Sequence, residues 1–290
     1  MIKKRQYIFD MYWYFAAERQ EIFFKKFHGE AAPFTKDPIL QTYKFCNTYR
    51  ASDRVSQCLI KDVIYANQTP PEDTLFRIIF FRLLNKDTTW KKLEEKLGAP
   101  VSLENFNTKR YATLLEEIKN EEGVIYGNAF ILASTHIYGL SKKYENHLQM
   151  LHELFVSGKK KHALLNAKTL EELYIILHTL PMIGDFMAYQ IAIDLHYSTV
   201  FNFDENDFTV AGPGAQRGIT KCFEDTDNKP LSYIIQYMVE NQDEEFKRLG
   251  IQFKNLWGRK LHAIDCQGLF CETDKYCRVR YPNLASNRIR

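Results

Sequence analysis

Apolar residues return every three to four positions along most of this chain, and stretches alternating apolar with polar residues are few, so the pattern predicts a mainly helical fold. The first run, residues 7–29, spaces Tyr12, Phe15, Arg19, Ile22 and Phe23 at near-helical intervals and stops at Gly29. After a loop through Pro33 and Pro38, a helix is expected from Ile39, with Leu40, Tyr43, Val55, Leu59, Val63 and Ile64 apolar and Asn47, Arg50, Asp53 and Arg54 polar between them. In that helix Arg50, Asp53 and Arg54 would share one face. Residues 72–98 give a core stripe of Leu75, Ile78, Ile79 and Leu83, broken at Asn85-Lys86 and resumed by Trp90 and Leu93. Helical periodicity continues over 107–121, 141–156 and 161–165, while 123–138 supplies small and apolar residues suited to close packing. Two further helices are expected over 232–238 and 244–253, after which 254–263 leads into a tail bearing Cys266, Cys271 and Cys277.

Composition narrows the class. A chain of 290 residues with 45% hydrophobic and 14% aromatic content can bury a substantial core. No apolar run approaches the length that spans a bilayer, and the opening Met-Ile-Lys-Lys-Arg-Gln is not followed by an apolar signal core. A cytoplasmic location with no membrane partner is therefore expected, and its six cysteines are expected to be reduced thiols. Cys266, Cys271 and Cys277, even with His262 as a fourth ligand, lack the close pair of an iron–sulfur or zinc site. His136, His147, His152, His162 and His178 pair with no acid or cysteine at metal-ligand spacing, so neither metal nor cofactor is expected. Net charge is only +3, which makes whole-molecule attraction to nucleic acid weak. Two local basic groups, Lys159-Lys160-Lys161 and Arg278, Arg280, Arg288 and Arg290, are either solvated surface or phosphate contacts.

The most specific stretch is 169–219. Thr169 and Glu172 form a capping-box pair, and Leu170, Leu173, Ile176 and Leu177 occupy one helical face. A tight turn, Leu180-Pro181-Met182-Ile183-Gly184, then leads to a second helix with Met187, Ile191 and Leu195 on a stripe. This helix, hairpin and helix resembles the helix-hairpin-helix of the DNA glycosylase superfamily, whose hallmark aspartate lies about twenty residues past the last hairpin glycine; Asp204 stands at that distance from Gly184. Two departures are visible: Met182 stands where the first hairpin glycine is usual, and Phe186 where lyase-type members carry the Schiff-base lysine. Upstream, Asn47-Thr48-Tyr49-Arg50-Ala51-Ser52-Asp53-Arg54, and downstream, Ala211 to Gly218 and Cys271 to Tyr276, resemble a glycosylase-related branch. That branch holds the alpha-glutamyl/putrescinyl thymine pyrophosphorylases and the helical domain of 5-hydroxymethyl-deoxyuridine DNA kinases.

The resemblance implies a helical bundle with two lobes around a cleft, formed by one glycosylase-like unit over 1–290. Its segments would be an aromatic arm (1–38), a helical lobe (39–168), the hairpin and aspartate segment (169–225) and C-terminal helices packing back on the N-terminal part (226–290). It implies a monofunctional glycosylase that flips a bulky modified pyrimidine, such as glucosylated 5-hydroxymethylcytosine, out of phage DNA and leaves an abasic site, as an anti-phage defence. Asp204 would stabilise the oxocarbenium-like sugar, with Asn206 and Asp207 placing the water. Amides of Pro181, Met182, Ile183 and Gly184 (proline by its neighbours), with Gly212, Gly214 and Arg217, would hold the DNA backbone. Asn47, Tyr49, Arg50, Asp53, Arg54, Lys275 and Tyr276 would line the modified-base pocket. Two alternatives stay open: a transferase in which an amine displaces pyrophosphate from an activated 5-hydroxymethyl group, clamped by Arg50, Arg54, Arg217 and Lys275, and a non-catalytic DNA-binding module. Oligomeric state is open, as is whether Trp13 pins the arm or faces a base.

Overall fold

A computed structural model describes residues 2–130, 136–158 and 160–284. The helices in chain order are α1 (Gln6–Phe27), α2 (Pro38–Thr42), α3 (Arg54–Cys58), α4 (Pro71–Leu84), α5 (Asp87–Leu97), α6 (Thr108–Glu122) and α7 (Lys143–His152). They continue with α8 (Lys160–Leu165), α9 (Leu170–His178), α10 (Asp185–His196), α11 (Pro213–Cys222), α12 (Leu231–Arg248) and α13 (Ala263–Arg280). Strands β1 (Lys3–Lys4) and β2 (Phe223–Asp225) pair antiparallel. The fold is thus mainly helical, as the periodicity predicts. The chain forms two units, one of residues 1–53 with 208–290 and the other of 54–207.

In the 54–207 unit, α4 is buried from Asp73 to Leu84, which places it at the centre, because a helix apolar on every side must be surrounded. Two arginines within it need internal partners. Arg77 donates from Nε to the Val63 carbonyl (3.1 Å) and lies over the Trp90 ring, while Arg82 forks onto Asp194 of α10, with Nη2 to Oδ1 at 3.0 Å. Asn85 ends α4 in the left-handed conformation (φ 49°), the break expected at Asn85-Lys86. Helix α9 starts where the capping pair puts it, with the Thr169 hydroxyl accepting from the Glu172 amide at 3.1 Å.

In the other unit, Ile8, Phe9, Tyr12, Trp13 and Ala16 of α1 are fully buried. Trp13 packs edge-on against Phe9, Tyr12 and Phe246, so it pins the N-terminal helix. Helices α11 and α13 approach each other through two glycines. A Cβ on Gly218 would sit 2.0 Å from the Phe270 carbonyl oxygen, and one on Gly214 would sit 2.9 Å from Cys271 Sγ. The same two helices share Asp274, which is 1% exposed and takes Lys221 Nζ at 2.5 Å and Arg217 Nε at 3.0 Å.

Three sequence expectations differ from the structure. The helix expected from Ile39 is broken: after α2 the chain runs irregularly to a 3₁₀ turn at Arg50–Ser52, then α3 and a wider π turn at Leu59–Ile64. Asp53 accounts for the break, since its carboxylate takes the Asn47 amide at 2.7 Å and its own backbone is extended (ψ 145°), the competition that acidic and amide side chains offer to helical bonding. Residues 123–130 and 136–138, expected to pack closely, are turns and loop in which Ile125 is buried but Val124 and Ile137 are exposed, and 131–135 lie outside the described residues. The expected pair 232–238 and 244–253 is one helix, α12, followed by irregular chain that turns at 249–250 and 257–258, whereas the cysteine tail is helix α13. Lys159, Arg288 and Arg290 lie outside the described residues. No described helix is long and apolar enough to cross a membrane.

The Gly218 contact gives a direct expectation. Gly218→Ala should destabilise the protein by about 2–3 kcal/mol, because the helix axes must separate to admit one methyl group. Urea unfolding of the two proteins checks it, and an unchanged midpoint would refute the close approach.

Candidate functional site

The segment 180–184 is a turn between α9 and α10. The Ile183 amide donates to the Leu180 carbonyl at 3.2 Å, Pro181 takes the second position, and Met182 the third with φ +68°. That is a type II turn, whose third position favours glycine. Met182 therefore holds a left-handed backbone that favours glycine, at a strain cost of about 1 kcal/mol. Gly184 precedes α10 with no side-chain cap on the helix start and with open space where a Cβ would be. Beside it, Lys160 Nζ donates to the Thr179 carbonyl at 3.0 Å, putting a cation at the turn. Asp185 at the first helical position is bound by His178 (2.8 Å) and by the Tyr174 hydroxyl (3.1 Å). A cavity of about 400 Å³ borders the turn, lined in part by Tyr138, Glu153, Lys160, Leu180 and Pro181. Asp204 is not among its lining residues.

Asp204 is exposed. Its Oδ1 accepts from the Asn206 amide at 2.8 Å and its carbonyl from the Asp207 amide at 3.2 Å, so the carboxylate closes its own turn. Asp207 is exposed as well, and the buried acid of this loop is Glu205, 3.8 Å from His196 Nε2.

In the unit of 1–53 and 208–290, several of the residues expected to line a pocket do meet. Asp53 takes the Asn47 amide, and the Asn47 side chain donates to the Ser52 carbonyl (2.9 Å) and accepts from Arg19 Nη2 (2.8 Å). The Arg50 amide donates to Asp265 Oδ1 at 2.9 Å, and the Cys46 amide to Glu272 Oε2 at 3.1 Å. Lys275 reaches the Lys44 carbonyl and lies 4.6 Å over the Phe45 ring. Burial pushes the Asp53 carboxyl up to about 6, against the opposing pull of the Asn47 amide and Arg50, while Glu272 adds to the rise. Desolvation lowers the Arg19 guanidinium from its ordinary value.

Other expected residues have structural engagements. Tyr49 is fully buried and donates to the Arg259 carbonyl (2.6 Å), and the Tyr276 hydroxyl donates to Asp37 Oδ2 (2.7 Å). Arg54, in the 54–207 unit, is exposed and pairs with Asp87. Gly212 precedes α11, Gly214 admits Cys271, and Arg217 is held by Asp274. Sequence reasoning missed Arg19, read as one apolar-face position and marked by no local motif, and Asp265, whose only local mark is its place in the first turn of α13, where its carboxylate accepts from the His262 amide at 3.1 Å. Among the described residues no group of three His, Cys, Asp or Glu is arranged to hold a metal, and Cys266, Cys271 and Cys277 are free thiols.

Residues 6–286 match the family model described as 5-hmdU DNA kinase, helical domain. The chain belongs to this family. A 5-hmdU DNA kinase of Bacillus phage SP10 is 26% identical to it over 290 residues, a span covering 93% of the chain and 45% of that relative. The helical-domain chain thus spans about half the length of the curated relative it matches. No solved structure matches it. The branch named from the sequence is therefore correct, and the reaction inferred from it is not. A kinase-associated helical domain overturns the hydrolytic glycosylase and its anti-phage excision; the amine transferase and the free-standing binding module do not fit it either. The role of Asp204 in glycosidic cleavage falls with that correction.

Two outcomes follow from these geometries. Met182→Gly should stabilise the protein by about 1 kcal/mol with the turn unchanged, measured by urea unfolding; a loss of stability would mean that the methionine side chain outweighs the strain. For Asp53 the folded value near 6 lies above the ordinary 3.8, so the native state holds the extra proton between those values. Stability should fall by about 2–3 kcal/mol as pH rises from 4 to 6 on this group's account, and Asp53→Asn should flatten that part of the profile.

Proposed function

We propose that this chain is the DNA-handling part of a 5-hydroxymethyl-deoxyuridine DNA kinase, holding modified DNA while a phosphoryl group is transferred to the 5-hydroxymethyl oxygen. The match to the kinase helical-domain family over residues 6–286 carries the reading. In such a transfer the hydroxymethyl oxygen attacks the terminal phosphorus of a nucleoside triphosphate, its proton passes to a base, and the nucleoside diphosphate leaves. The protein's work is positioning and electrostatics, and a helical scaffold suits the first of these.

Within the 54–207 unit, the turn Pro181, Met182, Ile183 and Gly184 with the uncapped start of α10 is the element that receives a DNA phosphate, with Lys160 adding charge. Within the other unit, Asn47, Arg50 and Asp53 read the substituent. Asp53 is half-buried and its carboxyl is raised to about 6 by burial, the property of a group that accepts a hydrogen bond or a proton from a hydroxyl. A base turned out of the stack supplies that hydroxyl. The chain has no Gly-x-x-x-x-Gly-Lys phosphate loop, and the relative's additional length gives room for donor-binding elements.

The test compares duplexes that differ only in thymine against 5-hydroxymethyluracil, by fluorescence anisotropy at several salt concentrations. The chain should prefer the modified duplex, and Lys160→Glu should weaken both duplexes alike by about tenfold while reducing the salt slope. Adding the remaining half of the phage kinase and radiolabelled ATP should place label on the modified base. Equal, salt-independent retention of both duplexes, with no label transferred in the reconstituted mixture, would overturn the reading.

A further inference from the structure

In the unit of 1–53 and 208–290, a cavity of about 750 Å³ opens between the C-terminal half of α1 and the irregular chain around α2. Its wall contains Arg19, Lys26 and Lys44 and no carboxylate. Arg19 is 7% exposed, yet its hydrogen bonds go to neutral acceptors: Nε to the Cys46 carbonyl (3.0 Å) and Nη2 to the Phe45 carbonyl (3.2 Å) and the Asn47 side chain. Asp53 and Glu272 act on it only through space. A guanidinium taken out of water without an ion pair is costly, and an anion entering the cavity is the partner that would offset that cost. Lys26 and Lys44 are exposed; Lys26 lies 5.2 Å over the Phe34 ring.

The rest of the wall is aromatic. Phe34 and Phe45 are half-buried and Tyr43 is 41% exposed. Phe45 is fixed edge-on by Phe15 at 5.3 Å, and Lys275 covers it at 4.6 Å. Two carboxylates touch residues of this wall and both are engaged: Glu18 accepts from the Thr35 hydroxyl, and Asp37 accepts from the Leu40 amide and the Tyr276 hydroxyl. Three cations beside one exposed ring, Tyr43, and the half-buried Phe34 and Phe45 suit a ligand that carries both a phosphate and a flat heterocycle. The volume lies within the range of small-molecule sites.

We infer that this cavity binds a nucleotide, its phosphate against Arg19, Lys26 and Lys44 and its base against Tyr43 and the neighbouring phenylalanines. The inference deepens the kinase reading and rests on it for the source of the nucleotide, which is either a free triphosphate donor or a nucleotide of the DNA strand. Both present the same chemistry to the wall.

Isothermal titration of the full chain with ATP, with thymidine monophosphate and with inorganic phosphate, beside anisotropy of a labelled single strand, separates the sources. The double variant Lys26→Glu with Lys44→Glu should weaken the nucleotide by about tenfold or more, and Tyr43→Ala by about fivefold or more through lost stacking. Because these side chains are exposed, both variants should fold; Arg19→Lys supplies a third, milder change. Weakened ATP with an unaltered strand assigns the donor, and the converse assigns the strand. Affinities that no variant alters, or inorganic phosphate bound as tightly as the nucleotides, would overturn the inference. If the modified duplex is still preferred in that event, the kinase reading survives alone; if the preference is absent while nucleotides bind here, the cavity survives alone.

Discussion

Each unit of this protein is built around a carboxylate removed from water, and the helices that surround it are fixed by the cations it requires. Asp194 is fully buried, and Arg82 of α4 must lie against it, which sets the contact between α4 and α10. Asp274 gathers Lys221, itself fully buried, together with Arg217 and Arg278, so α11 and α13 are tied by charge at the place where their glycines allow close approach. Burying an ion pair adds little net stability over an apolar pair of the same shape, but removing one partner costs about 3–5 kcal/mol. Such pairs specify which helices meet more than they hold the fold together.

The same helix α13 orders the part of the chain that local propensity leaves irregular. Its residues Asp265, Glu272, Lys275 and Tyr276 hold the Arg50 amide, the Cys46 amide, the Lys44 carbonyl and the Asp37 carboxylate respectively. These positions are seven, ten and eleven residues from the first, close to one helical face. A segment without regular structure is thereby held from the side as a shaped wall, carrying Asn47 and Asp53 on one part and the Arg19 cavity on another. The rigid helix thus adds to the few bonds the segment makes within itself, such as those of Asn47 to Asp53 and to Ser52.

Much of this was legible in the sequence. The 3.6-residue period located α1, α4, α9 and α10, and the Thr169 cap and Pro181 fixed the boundaries of the turn. The break before α3 was not legible, since Asp53 competes for the backbone through a bond six residues back. Helix α13 was hidden because it is buried on most sides and shows no amphipathic stripe. The polar clusters were legible only in part: Asn47, Asp53 and Arg50 lie close along the chain, but Arg19, Asp265 and Glu272 come to them from far away. Asp204 shows the converse, since a residue at the expected distance in sequence spends its carboxylate on an adjacent amide. Family membership was written in local motifs, while the reaction was not.

The chain leaves the first unit after Asp53 and re-enters it at Phe208, so the intervening unit is continuous and its host is not. During synthesis the inserted unit can complete its core as soon as its last residue clears the ribosome, whereas α1 must wait for α11 and α13. Early collapse of the insert shortens the effective loop that joins the two host segments and lowers the entropy of closing it. Until then α1 presents its apolar face bare, a surface open to aggregation while the chain is being made.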